Sequence, residues 1–189
     1  MRGALLSAAR SALIMLPILL LAGCSKSPDL FPLEVGKSWK YTVSSGMSKK
    51  VITLRVTGRA SFAEAQGYEL QSDMGNFRLA WKNGWLLAGS LAGTRYSPPL
   101  PILSQDSPAT AKWKGTVHSM GRALEATADI LQEKPSPRSK EADQGVKVII
   151  KMQAGGKKFE TESFYKPKLG LVEQTQRVDG LLTIAMRSL

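Results

Sequence analysis

The feature that most constrains this chain is an alternation of apolar and polar side chains, broken at short intervals by turn residues, that runs from Trp39 almost to the last residue. Trp39, Tyr41 and Val43 alternate with Lys40 and Thr42, and Ile52, Leu54 and Val56 alternate with Thr53, Arg55 and Thr57. A period of two puts successive side chains on opposite faces of an extended backbone, so both runs are half-buried strands. Ser44-Ser45-Gly46 lies between them, and a glycine there supplies the positive φ of a tight connection, which makes the pair a hairpin.

The same grammar recurs in Tyr68 and Leu70, in Phe77, Leu79 and Trp81, and in Trp85 to Leu87, with Gly75-Asn76 and Asn83-Gly84 at the turns. Asn83-Gly84 is the strongest hairpin signal in the chain. In Ser97-Pro98-Pro99-Leu100-Pro101 three prolines remove ladder donors, so the segment is expected to be a crossing, or an edge that covers the sheet, and not a central strand. Trp113, Gly115 and Val117 restart the alternation. In Leu124 to Ile130 the alanine, leucine and glutamate content favours helix while the period favours strand; the neighbouring strands decide for strand.

Gln132 to Gly145 holds two prolines, six charges and no large apolar side chain, and is expected to be a solvent loop. Val146 to Met152, Phe159 to Tyr165, Leu169 to Val178 and Leu181 to Met186 complete the series, with Gly155-Gly156 and Asp179-Gly180 as turns. About ten or eleven short strands with no amphipathic helix predict an all-β domain, a single antiparallel meander curled as an open half-barrel or barrel.

Ahead of this body stand Arg2 and Arg10 and then an uncharged run from Ser11 to Gly23, the layout of a secretory signal. The run is shorter than the roughly 20 residues a membrane-spanning helix needs. Leu21-Ala22-Gly23 before Cys24, the chain's one cysteine, resembles the lipobox of bacterial lipoproteins. The resemblance implies a diacylglyceryl group on Cys24 and cleavage before it, leaving residues 24–29 as an acylated tether and 30–189 as the β-rich domain. Ser25 after the cysteine then points to the outer membrane, facing the periplasm, if the organism has one.

With Cys24 acylated no thiol remains for disulfides, thiolate metal sites or nucleophilic catalysis. Without Arg2 and Arg10 the mature portion has 24 basic against 15 acidic residues, a net charge of +9. Such a charge favours polyanions, and outside the cytoplasm those are phospholipid headgroups, lipopolysaccharide or wall polymers, with no nucleic acid expected.

Two segments echo each other: Phe31-Pro32-Leu33 before Trp39-Lys40-Tyr41, and Leu100-Pro101-Ile102-Leu103 before Trp113-Lys114-Gly115. In each, a proline segment is expected to lie across the sheet end while the tryptophan anchors the next strand. Phe31-Pro32-Leu33-Glu34-Val35-Gly36-Lys37-Ser38-Trp39, taken with Phe164-Tyr165-Lys166-Pro167-Lys168-Leu169-Gly170-Leu171-Val172, resembles a group of β-rich bacterial secreted lipoproteins similar in fold to the lipoprotein-localisation carriers. That resemblance implies a curved sheet with an apolar concave face and carries no catalytic residue across. Lys166-Pro167-Lys168-Leu169 departs from the alanine and glycine that often follow the second aromatic in that group.

The catalytic inventory is sparse. His118 is the sole histidine and stands beside Ser119, with no motif announcing an orienting carboxylate. Glu160 and Glu162 share a strand face and are expected to form cross-strand ion pairs. No metal or cofactor is expected, since one histidine and no free thiol leave few ligands, and Gly155-Gly156-Lys157 lacks the following helix of a phosphate loop. Trp39, Trp81, Trp85 and Trp113 are either core or the lining of an apolar ligand face. The expectation is a non-enzymatic, membrane-anchored envelope lipoprotein presenting a curved sheet to a lipid-like ligand or a protein partner. The alternative is a structural lipoprotein docking on anionic envelope polymer through its basic surface.

Overall fold

The computed structural model describes residues 30–62, 64–134 and 145–189. They form β1 Ser38–Ser45, β2 Ser48–Phe62, β3 Ala65–Ser72, β4 Gly75–Lys82, β5 Trp85–Leu91, β6 Thr94–Ser104, β7 Ala109–Ser119, β8 Arg122–Glu133, β9 Val146–Ala154, β10 Lys157–Lys166, β11 Gly170–Val178 and β12 Leu181–Ser188. Each strand pairs antiparallel with its sequence neighbours, and β1 also pairs with β12 through Tyr41–Ser188 to Ser44–Ala185, which closes the meander into a twelve-stranded barrel. Closure removes both sheet edges. Of the two forms the sequence allowed, the chain takes the closed barrel and not the open half-barrel.

Asn83 and Gly84 both have positive φ, at 51° and 77°, as do Asp179 and Gly180, at 50° and 85°. Two such residues in a two-residue loop match the twist of the flanking strands, so these dipeptides fix the hairpins that the sequence announced. Because every neighbour is antiparallel, the turns β1–β2, β3–β4, β5–β6, β7–β8, β9–β10 and β11–β12 lie at one end of the barrel. The remaining turns and the segment Leu30–Leu33 lie at the other.

The strand that takes the total past ten or eleven is β6, the proline segment. It sits between β5 and β7, contrary to its expected exclusion from the sheet interior, but it joins β7 only through Arg95–His118, Tyr96–Val117 and Ser97–Thr116. Pairing stops at Pro98, which has no N–H to give. Trp113 takes over there, its indole Nε1 donating to the Pro98 carbonyl at 3.0 Å. Beyond that point β6 leans inward far enough to approach β8 and β9, so the segment is at once a strand and a crossing.

A second correction concerns Gln132, expected to open a solvent loop. It is fully buried in β8, accepts from Ser104 N–H at 2.8 Å and donates to the carbonyls of Ser104 and Asp106 at 3.0 and 2.7 Å. This one side chain satisfies the end of β6 where β7 does not. Most of the expected loop, residues 135–144, lies outside the described residues. The Leu124–Ile130 run is strand, as its period indicated, with Ala126, Ala128 and Ile130 buried.

The inward faces carry the core, including Tyr41, Ile52, Leu54, Val56, Leu70, Leu79, Leu86, Leu103, Trp113, Ile130 and Val148. The outward phase is mostly polar where β8 and β9 run, with Glu125, Thr127, Asp129, Lys151 and Gln153 exposed, and carries isolated apolar side chains such as Val51 and Leu131. Membrane-spanning barrels have the reverse arrangement, an apolar band outside. Among the described residues no helix is long and apolar enough to cross a membrane.

Candidate functional site

Cys24 and the lipobox residues Leu21, Ala22 and Gly23 lie outside the described residues. At the start of the described residues, Leu30, Phe31 and Leu33 are buried against the barrel. Phe31 stacks on Trp39 at 5.0 Å between centroids and meets Tyr165 edge-on at 6.2 Å. Trp39 Nε1 donates to the Leu169 carbonyl at 2.8 Å. The proline segment thus plugs one end of the barrel, held by the strand-opening tryptophan. The second copy of the echo uses the same device with a hydrogen bond, from Trp113 to Pro98.

The four tryptophans do not share one face. Trp39 belongs to the plugged end. Trp81 pairs with Leu86 on the inward face, and Trp113 is 6% exposed, edge-on to Tyr96 within the core. Trp85 pairs with Lys82 and Ser104, out of phase with Leu86, so the ladder puts it on the opposite face from Trp81.

A different set of side chains, in the inward phase of β9 to β12, is only partly buried. The register aligns inward-facing residues of β9 to β12 in three rows. The first is Val148, Ser163, Gln174 and Met186, continued by Val43 on β1; the second is Ile150, Thr161, Gln176 and Ile184; the third is Met152, Phe159, Val178 and Leu181. Exposure rises along them. Val43, Val148 and Ser163 of the first row are buried, all four residues of the second are half-buried, and Leu181 of the third is 75% exposed. An inward side chain in a closed ladder is reached only from the lumen or its mouth, so this wall lines an opening at the end opposite the Phe31 plug. Its surface is apolar with interspersed amide and hydroxyl groups.

This wall was hidden in the sequence by backbone irregularities. Between Phe164 and Tyr165 the register with β11 shifts, and a second shift follows between Gln176 and Arg177. Each bulge changes which parity faces inward, so Gln174 and Gln176 do not continue the alternation begun at Leu171. Two amides in the phase of Ile184 and Met186 are the signal once the bulge is known.

Tyr41 and Tyr165 are buried in the core, and the half-buried Tyr96 packs against it from the side of β6 and β7. Burial pushes the Tyr165 hydroxyl up to about 12, with Ser163 partly opposing through a hydrogen bond, and burial alone pushes Tyr96 to about 12. Tyr41 is raised further, by burial and then by the proximity of Tyr165. Its buried hydroxyl has no hydrogen-bond partner among the described residues.

Glu160 and Glu162 pair across the ladder with Lys151 at 3.9 Å and Lys147 at 2.7 Å on β9, the cross-strand ion pairs that the sequence led us to expect. His118 is half-buried on the outer phase of β7, opposite Arg95. Among the described residues no three His, Cys, Asp or Glu side chains cluster as a metal site.

No protein-family model matches the chain, and no curated protein matches it in sequence. Its structure is similar to that of a predicted exported protein with a YmcC-like fold from Bacteroides fragilis, at 11% identity and a TM-score of 0.47 over 85% of this chain and 97% of that one. It is also similar to a predicted lipoprotein from Parabacteroides distasonis, at 12% identity and a TM-score of 0.52 over 85% of this chain and 97% of that one. At that identity the likeness is one of fold, and it spans nearly the whole of the second protein.

Proposed function

We propose that this protein is a non-enzymatic envelope lipoprotein, anchored through Cys24, that holds a lipid-like ligand at the mouth of its barrel. The observation that carries the reading is the gradient on the inward face of β9 to β12, from the buried Val148 row to the half-buried Ile150, Met152, Phe159, Ile184 and Met186. Apolar side chains left partly accessible inside an otherwise packed barrel gain most from an apolar ligand. Gln174, Gln176 and Thr161 supply polar atoms for a head group. The anchor rests on Leu21-Ala22-Gly23-Cys24, and the description of a structural relative as a predicted lipoprotein agrees with it. On this reading Ser25 directs the mature protein to an outer membrane where one exists, facing the periplasm.

The test uses the mature chain from residue 24 with Cys24→Ser, titrated with a fluorescent fatty acid and a fluorescent lysophospholipid. Saturable binding that Ile184→Arg or Met152→Arg abolishes, with the circular dichroism spectrum unchanged, is the expected result. Absence of binding to both probes, or equal binding by both variants, overturns the lumen reading. Binding that disappears as salt is raised would favour docking on an anionic polymer instead.

A further inference from the structure

We propose that the outer surface of β4 to β7 carries a binding site for a phosphate-bearing ligand, held between Arg78, Arg95 and His118 beside the Phe62 ring. This site lies outside the barrel and is independent of the lumen reading.

The ladder brings the three side chains into line. Arg78 on β4 pairs with Ser90 on β5, Ser90 pairs with Arg95 on β6, and Arg95 pairs with His118 on β7. Neighbouring strands are about 4.8 Å apart, so the row is about 15 Å long, within the combined reach of two arginine side chains, although Arg78 as it stands turns its guanidinium toward Glu69 on β3. A surface depression of about 390 Å³ opens along the row, lined by Phe62, Arg78, Gly89, Arg95, Ser97, Pro99 and His118 among others. A second one, of about 210 Å³, continues beyond Arg95 and His118 to Ser119 and Arg122.

The floor is built around two glycines, although the Leu79 carbonyl, 2.6 Å from a Cβ built on Gly67, requires glycine there as well. A Cβ on Gly67 or Gly89 would approach the Phe62 ring to 2.7 and 3.0 Å. Glycine at both positions leaves room for the ring on the outside of β3 to β5, where it forms an apolar surface next to the charged row. It stands next to cations with little compensation. Glu69 pairs with Arg78 at 3.3 Å, and Glu125, the other carboxylate nearby, accepts from Thr116 at 3.1 Å. No ion pair engages Arg95 or His118 among the described residues.

Guanidinium groups match oxyanions by paired N–H donors. Donors arriving from three strands suit the several oxygens of a phosphate better than the two coplanar oxygens of a carboxylate. The apolar floor favours an organic phosphate, so a lipid headgroup and a free phosphate ester share the chemistry that the site recognises.

The mature chain carrying Cys24→Ser is titrated by calorimetry with inorganic phosphate, glycerol 3-phosphate and acetate. It is then floated with phosphatidylcholine vesicles, with and without phosphatidylglycerol. The expected result is that at least one phosphate probe binds at least tenfold tighter than acetate. Arg95→Ala and His118→Ala each weaken it about tenfold, and Lys157→Ala with Lys158→Ala, on the distant β9–β10 hairpin, leaves it unchanged. Preference for glycerol 3-phosphate identifies a soluble ester, and flotation with the anionic vesicles alone identifies a headgroup. Binding that falls equally with any lysine or arginine removed, binding no tighter than acetate, or no binding to any probe overturns the site. All the substituted side chains are on the surface, and an unchanged melting temperature confirms that loss of binding is not loss of fold.

Discussion

The indole of Trp39 donates a 2.8 Å hydrogen bond to the carbonyl of Leu169, joining the start of β1 to the β10–β11 turn across 130 residues of chain. The Leu169 carbonyl belongs to the turn that leads into Gly170, whose φ of +85° lets the backbone pass within 3.3 Å, measured at a hypothetical Cβ, of both Phe31 and the Trp39 nitrogen. The two short motifs that resembled secreted lipoproteins are thus one structural unit. The first supplies the plug and its tryptophan, and the second supplies the aromatic edge of Tyr165 and the turn that accepts the bond.

Trp39→Phe is expected to keep the stack on Phe31 and lose the hydrogen bond, at about 1 kcal/mol. For a domain of this size that lowers the melting temperature by roughly 2–4 °C. Gly170→Ala should cost more, since it combines a left-handed φ with crowding against two rings. Thermal melts of the two variants check the order; a Gly170→Ala protein as stable as the wild type would show that the turn relaxes freely.

Gln132→Leu preserves volume but removes all three hydrogen bonds to the β6 end and leaves the Ser104 N–H and carbonyl groups without that partner. Unmet buried polar groups cost about 1–3 kcal/mol each, so urea unfolding should report a loss of about 2–4 kcal/mol. A loss below about 0.5 kcal/mol would mean that water reaches the gap beside β6 and that the glutamine is not its strut.

Alternation and turn dipeptides made most of the barrel legible because a half-buried strand writes its two faces into the sequence directly. Where the ladder is irregular the writing fails. Pro98, Pro99 and Pro101 argued against a central strand, and a single tryptophan hydrogen bond with a shortened β6–β7 ladder overrode the argument. Gln132 looked like loop because its residue type is polar, and only the missing β7 partner of β6 explains its burial. The lumen wall was invisible for a related reason, as the Phe164–Tyr165 and Gln176–Arg177 shifts move Gln174, Gln176 and Ile184 out of simple parity with their neighbours. The tryptophans stood out by size, yet size marks packing, and the half-buried mouth is built from residues that draw less notice.

Tyr41, Tyr96 and Tyr165 make stability fall at alkaline pH. Each is held above its unfolded value near 10, Tyr96 and Tyr165 at about 12. A raised acid stays neutral in the folded state while its unfolded counterpart ionises. The stabilisation is therefore complete below pH 10 and is lost as pH climbs from 10 through 12. Each tyrosine steepens the loss by up to about 1.4 kcal/mol per pH unit in that window. Urea midpoints from pH 8 to 11.5, with tyrosinate absorbance followed in parallel, should fall, the absorbance of these three side chains appearing only on unfolding. Tyr41→Phe should flatten the slope and, by removing an unpartnered buried hydroxyl, leave neutral-pH stability equal or higher. A flat profile across the window would show that the phenols ionise in place.

The anchor makes the remaining prediction, and it separates where the protein resides from what its barrel binds. Each buried methylene contributes about 0.8 kcal/mol, and one acyl chain alone holds a protein only marginally, whereas two or more resist dissociation. Cells expressing the full chain should incorporate labelled palmitate into it and carry it in the membrane fraction. Cys24→Ala should abolish the label and shift the exported protein to the soluble fraction, with an unchanged barrel, because the twelve strands close on one another. With the proposed anchor at Cys24, the expected orientation has the plugged end at Phe31 and Trp39 toward the bilayer and the mouth lined by Ile150, Met152, Phe159, Ile184 and Met186 away from it. Protease or fluorophore accessibility at the β11–β12 hairpin on intact vesicles should consequently exceed that at the Lys166–Leu169 turn. A Cys24→Ala protein that keeps its label and its membrane association would show that the Leu21–Cys24 reading is wrong, while leaving the lumen and the Arg95 site to stand on their own tests.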